Sequence, residues 1–386
     1  MIITVSKRAG QAQEYYFSVK LAEVRRLVAR GHDVINMGIG NPDQMPSEAT
    51  IQALVQSAQQ PNNHGYQSYK GIPVFRQAIA QWYSRIYGVS LDAETEILPL
   101  IGSKEGITHI SMTFVDADDE VLVPELGYPS YRAVSQMVGG KVVDYPLLEN
   151  QNWQPDWEAM KDLVSAKTKL LWLNYPQMPT GAPASQKLFE NAVRFATDNK
   201  ILLCHDNPYS LILNKKPPIS LLSVDGAKDV AIELNSMSKS HNMAGWRVGW
   251  LLGAKPYIDA VLTIKSNVDS GMFLATQHAA VAALQNSDDW HTNQSDIYGQ
   301  RLEAAKAFLD ALNCTYSPDQ EGMFLWAKLP ESIASAEQLV NDLLIQKHIF
   351  IAPGFIFGPK GQRYIRISLC MDKVRIWEAV RRLTNE

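Results

Sequence analysis

The chain is poor in sulfur, has no long apolar run and carries no surplus of one charge. Its 386 residues include only 3 cysteines. Cys204, Cys314 and Cys370 lie far apart and form no Cys-x-x-Cys pair. That spacing excludes a disulfide framework and a thiolate metal centre, so no metal site is expected and a reducing cytoplasm fits best. No stretch reaches the ~18 consecutive apolar residues of a membrane span, and Met1 to Gly10 lacks the apolar core of a secretory signal. Lys and Arg number 36 against 40 Asp and Glu, a formal charge of −4. The basic residues are dispersed, which gives a nucleic acid or an anionic membrane surface no electrostatic foothold.

What is present is core. Hydrophobic residues make up 46% of the sequence, enough for one large domain with a smaller companion. Strand patterns at 96–101, 120–124, 142–145, 169–173 and 201–205 alternate with helical ones at 107–114, 130–138 and 185–199. Such alternation predicts an α/β fold: a mostly parallel sheet covered by helices on both faces, with ligands at the carboxyl ends of the strands. Near residue 287 the pattern changes to a long helix, a strand at 323–329, a helix at 336–347, strands at 349–351 and 363–369, and a helix at 374–383. This predicts a smaller α+β domain. The expected division is an N-terminal arm and part of the small domain at 1–45, a large domain at 46–287 and a small C-terminal domain at 288–386.

A polar loop separates two apolar runs, Val230–Leu234 and Arg247–Gly253, and carries Ser236, Ser238, Lys239 and, at its end, Arg247. Two hydroxyls and a guanidinium suit a phosphate dianion, Arg being able to bind two oxygens at once. A lysine beside such a phosphate suits covalent attachment to the aldehyde of pyridoxal phosphate. The pattern Ser-x-Ser-Lys-x-x-x-Met-x-Gly-x-Arg-x-Gly resembles the lysine motif of the class I/II aminotransferases, the fold type I pyridoxal-phosphate enzymes. Nearly the whole chain can be laid along that family.

The resemblance implies roles residue by residue. Lys239 is the Schiff-base lysine and proton shuttle, and Ser236, Ser238 and Arg247 hold the phosphate. Ser103 and Lys104, in a glycine turn that opens a helix, cradle the same phosphate, although Gly102–Gly106 lacks the Gly-Lys-Ser/Thr ending of a nucleotide loop. Tyr128 stacks on the pyridine ring, Asp206 pairs with its nitrogen, and Tyr209 donates to its phenolic oxygen. Arg366 binds the substrate's α-carboxylate, with the Gly40 backbone and Tyr15 on the substrate side. Tyr66, or less favourably Tyr69, reaches the neighbouring subunit's phosphate, and Ser270 lies in a segment that approaches the partner's site. His205 is read as structural, and Tyr131 as a packing residue.

One motif departs from the family. Where the family reads Asn-Pro-Thr-Gly, this chain has Met178-Pro179-Thr180-Gly181, and methionine has no donor for the phenolic oxygen. Either Asn174 or Gln177 substitutes, or the oxygen has one donor fewer; we expect the second.

The implied activity is ping-pong amino transfer between an L-amino acid and a 2-oxo acid in a homodimer. The closest subgroup in appearance contains the LL-diaminopimelate, alanine and aspartate aminotransferases. A β-eliminating lyase acting on a sulfur amino acid uses the same parts and is the alternative. A sensor protein would need a basic DNA-binding module that the short arm does not supply. A serine hydrolase reading of Ser236 and Lys239 lacks its companion motifs.

Overall fold

The computed structural model describes residues 3–6, 8–9 and 16–385. Seven strands form the large sheet in the order Ile97–Leu100, Gly249–Gly253, Ala231–Ser236, Leu202–Asp206, Thr168–Leu173, Glu120–Pro124, Lys141–Tyr145. All run the same way except Gly249–Gly253, which is antiparallel to both neighbours.

Helices cover both faces, so the central strands are buried on both sides and largely apolar instead of alternating with solvent-facing polar residues. The period of two survives as a division between two cores. Leu122, Leu171, Leu173 and Leu203 enter one; Val121, Val123, Leu170, Trp172 and Cys204 enter the other. The covering helices have local stops and starts. Ser185 caps Gln186–Asn199 by accepting from the Leu188 N–H at 3.2 Å, and Gly88, at φ 67°, closes Pro73–Tyr87.

The second sheet is antiparallel, in the order Thr315–Tyr316, Phe324–Lys328, Tyr364–Ser368, Ala352–Pro353. Helices Asp288–Ala311 and Lys373–Thr384 pack against each other beside it. Ile35–Asn36 pairs in parallel with Ile349–Phe350, and the Ser368 N–H donates to Met37 O at 2.7 Å. Arg301 grips Asp43 with two bonds of 2.7 and 2.9 Å. These contacts fix the segment from Gly38 to Asp43 against the smaller sheet.

Three expectations shift locally. The expected strand 349–351 is two short strands, Ile349–Phe350 and Ala352–Pro353, that pair with different partners. The strand expected from Arg247 begins at Gly249, because Arg247 takes a left-handed conformation at φ 58°. The expected polar loop contains a single helical turn, Met237–Ser240. Among the described residues, no helix is long and apolar enough to cross a membrane.

Candidate active site

The carboxyl ends of the parallel strands deliver Tyr128, Asn174, Asp206 and Ser236 to one edge of the sheet. The reversed strand starts at that edge, so Arg247 arrives there too. Ser103, Lys104, Tyr128, Asn174, Asp206, Tyr209, Ser236, Ser238, Lys239 and Arg247 line one cavity of about 290 Å³, joined by Tyr131 and Met178.

At one end the donors of an anion site converge. Ser236 Oγ accepts from the Ser238 N–H at 3.1 Å and lies 2.9 Å from Ser238 Oγ. Arg247 Nη1 donates to Ser238 Oγ at 3.2 Å. Gly102, at φ 84°, lies so close to this guanidinium that a Cβ there would stand 2.0 Å from Arg247 Nη2. Gly249 likewise leaves room for the Ser103 N–H, which would be 2.7 Å from a Cβ. Helix Ser103–Phe114 starts here, and its N-terminal end meets this part of the cavity with a positive dipole.

At the other end stands Asp206. Its Oδ2 accepts from the Tyr131 hydroxyl at 2.8 Å. Its Oδ1 is buried and has no hydrogen-bond partner among the described residues. Burial pushes the Asp206 carboxyl up to about 6, while Tyr131 and His205 pull it down and Glu233 adds to the rise. Burial likewise raises the Tyr131 and Tyr209 phenols, so both remain donors at neutral pH. Lys104 Nζ lies 5.9 Å over the Tyr128 ring.

Between the two ends, the Lys239 ammonium donates to Gly40 O at 2.5 Å. Burial holds its pKa below the ordinary lysine range; Cys370 opposes this, and the Arg366 and Arg247 guanidinium groups reinforce it. A depressed pKa favours the neutral amine needed of a nucleophile and proton acceptor.

Arg366 is buried beside the cavity. It donates to Gly38 O at 2.8 Å and to the Met178 sulfur at 3.2 Å. Its guanidinium carbon sits 3.9 Å from the Phe324 ring centroid and 4.5 Å from that of Phe357. The rings fix the plane of the fork.

The Asn174 amide is committed to its own loop: it donates to Asp206 O at 2.6 Å and accepts from the Met178 N–H at 2.9 Å. Gln177 is also committed, donating to Leu126 O at 2.7 Å and accepting from Thr180. Tyr66 is 92% exposed and stands outside the cavity, as does the exposed Ser270. Tyr15 lies outside the described residues.

Sequence reasoning missed two features. Tyr131, read as packing, is the hydrogen-bond partner of Asp206. Glu233, inside an apolar strand, is fully buried and accepts from Tyr83, Ser220, His205 and the Leu221 N–H at 2.8 to 2.9 Å. The available signal was a carboxylate in the middle of a buried run, which always demands partners.

An anion cradle, a buried carboxylate with one open oxygen, an aromatic wall and a depressed lysine between them share one cavity. The sequence matches the profile of the aminotransferase class I and II family over residues 32–383. The chain belongs to that family and is an aminotransferase; membership implies pyridoxal phosphate as cofactor. It is 40% identical over 385 residues to an LL-diaminopimelate aminotransferase of Dehalococcoides mccartyi, covering 99% of this chain and 98% of that protein. Among solved structures, substrate-bound BacF of Bacillus subtilis superposes with a TM-score of 0.96 at 32% identity, covering 99% of this chain and 98% of that one. A probable N-succinyldiaminopimelate aminotransferase of Thermus thermophilus does so with a TM-score of 0.88, also at 32% identity, covering 96% and 99%.

Proposed function

We propose that the cavity binds pyridoxal phosphate and moves an amino group between an L-amino acid and a 2-oxo acid by a ping-pong mechanism. The observation that carries this is the position of Lys239, with a depressed pKa, in the same cavity as the partnerless Oδ1 of Asp206. The donor set fits the cofactor end to end. Ser103, Ser236, Ser238 and Arg247 would hold the phosphate, and Tyr128 would pack on the ring. Asp206 Oδ1 would accept from the pyridine N–H, and Tyr209 would donate to the phenolic oxygen. When bound, the cofactor supplies an electron sink for the electrons left behind as the substrate loses its α-proton. The Lys239 amine would take that proton from the substrate's α-carbon and deliver it to the cofactor's C4′. Arg366 meets the substrate's α-carboxylate with one arm of its fork, exchanging the weak thioether contact for a charged one.

The relatives named above direct the choice of amino donor toward LL-diaminopimelate. Tyr66 and Ser270, exposed on this protomer, complete the partner's site in a homodimer. The three cysteines are free and buried, in keeping with a cytoplasmic enzyme.

The test is reconstitution with pyridoxal phosphate, borohydride reduction and peptide mapping, followed by a panel of amino donors that includes LL-diaminopimelate. The expected result is a label on Lys239 and acceptor-dependent amino transfer with parallel double-reciprocal lines. A label on another lysine would refute the site. Release of ammonia and pyruvate without an acceptor would refute the reaction.

A further inference from the structure

Behind the anion cradle lie four charged or titratable side chains that the chemistry does not use: Glu105, His109, Lys265 and Asp269. Glu105 sits in the first turn of helix Ser103–Phe114. A carboxylate there satisfies the helix dipole and thereby competes with any anion bound at the same terminus. A glutamate serving only the helix would turn to solvent. This one turns back, and its Oε2 accepts from the Ile101 N–H at 2.5 Å, just before the turn. The reach is that of a capping box displaced by one residue. It fixes the turn from outside, on the side away from the Gly102 and Ser103 backbone that faces Arg247 and Gly249.

The other oxygen extends the connection. Glu105 Oε1 lies 3.0 Å from His109 Nε2, and that nitrogen is 4.0 Å from Asp269 Oδ2. Asp269 accepts from Lys265 Nζ at 2.8 and 2.6 Å and from the Gly271 N–H at 2.7 Å. Gly271, at φ 84°, lies against the loop that carries Tyr66, since a Cβ there would be 2.6 Å from Gln67 O. His109 and Lys265 are almost fully buried. Lys265 pairs with Asp269 and offsets its charge, so the cluster presents the cradle with about the negative field of Glu105 alone instead of that of two carboxylates.

We infer that Glu105 and Asp269, joined through His109, are positioning residues for the phosphate end of the cofactor site, holding the Ile101–Ser103 turn and the Gly271 segment in one frame. This rests on the cofactor reading above. The frame acts on the phosphate alone, because neither carboxylate reaches the ring end of the cavity, and that separation makes the role measurable.

The experiment compares pyridoxal phosphate with pyridoxal, which lacks the phosphate. Full-length wild type, Glu105→Ala, Glu105→Gln and Asp269→Asn are stripped of cofactor and titrated with each compound by near-ultraviolet absorbance. Loss of one charge-assisted bond predicts a rise of about tenfold in the Kd for pyridoxal phosphate in Glu105→Ala, with the Kd for pyridoxal unchanged within about twofold. Glu105→Gln keeps an acceptor for the Ile101 N–H and recovers part of the loss. Asp269→Asn shifts the ratio of the two constants in the same direction as Glu105→Ala. An unchanged ratio in Glu105→Ala and Glu105→Gln overturns the inference, as does an equal fall in both affinities, which marks general damage. If wild type itself does not prefer pyridoxal phosphate to pyridoxal, the cofactor reading fails first and takes this inference with it.

Discussion

Asp206 shows what a single side chain can be asked to do. Its folded pKa stands at about 6 against an ordinary 3.8, so the cofactor-free fold holds this proton more tightly than the unfolded chain. The stability linked to it is fully present below about pH 4 and is lost as pH rises through about 6, reaching a deficit of about 3 kcal/mol. Asp206→Asn removes the titration. Urea melts of the cofactor-free proteins should therefore match near pH 4, with the variant more stable at pH 7.5. Amino transfer by the same variant should fall by roughly 10²–10³-fold, because no anion is left for the pyridine nitrogen. Met178 makes the converse case, a position where a donor is lacking. Asn174 and Gln177 both make hydrogen bonds that hold their own loop, and in the proposed site Tyr209 is the donor assigned to the phenolic oxygen. In Met178→Asn, a second donor favours the phenolate, and the apparent pKa read from the bound cofactor's absorbance should move down. A pKa that stays put or rises would count against this account. Neither Tyr131 nor Met178 disclosed its partner in the sequence, since Tyr131 meets a carboxylate 75 residues away and Met178 a guanidinium 188 residues away.

At the scale of elements, the cradle depends on glycine. Gly102→Ala places a methyl group 2.0 Å from Arg247 Nη2 in a left-handed residue, so the guanidinium must leave the phosphate end. The expected outcome is at least a tenfold loss of pyridoxal phosphate affinity in a protein that still folds. Gly88→Ala is the matched control. It has the same sign of φ but nothing within 4 Å of the added carbon, so it should cost about 1 kcal/mol in thermal or urea melts and leave cofactor affinity alone. The strands were legible because most carry a short apolar core, such as Val121–Val123 or Leu170–Leu173, between polar or turn-forming residues, and Lys239 was legible because its loop separates two apolar runs. The turn Met237–Ser240 was not, since four residues are too few for a helical period to show. The reversed direction of Gly249–Gly253 was equally hidden, because apolar composition says nothing of polarity within a sheet.

The molecule as a whole brings its two sheets together through the Gly38–Asp43 segment and sends Tyr66 outward. If Tyr66 serves the other protomer, a site needs Lys239 from one chain and Tyr66 from the other. Lys239→Ala and Tyr66→Ala homodimers should both be nearly inactive. After they are unfolded together, mixed in equal amounts and refolded, half the dimers carry one intact site and one doubly defective site. Activity should then return to about a quarter of the wild-type value. An unmixed sum of the two residual activities would mean that Tyr66 belongs to no shared site. The α/β architecture was visible at this scale from the alternation of patterns, whereas the parallel pairing of Ile35–Asn36 with Ile349–Phe350 joins segments too distant for any local pattern to record. The reversed strand has a further consequence for engineering. Lys239 leaves the sheet and Arg247 returns to it on the two limbs of one short excursion, so the chain cannot be reopened there. New termini cut between Asn242 and Trp246 would let the nucleophile and the anion clamp drift apart, while the same cut at the exposed 215–217 stretch, on the far side of Asp206, would leave both limbs anchored.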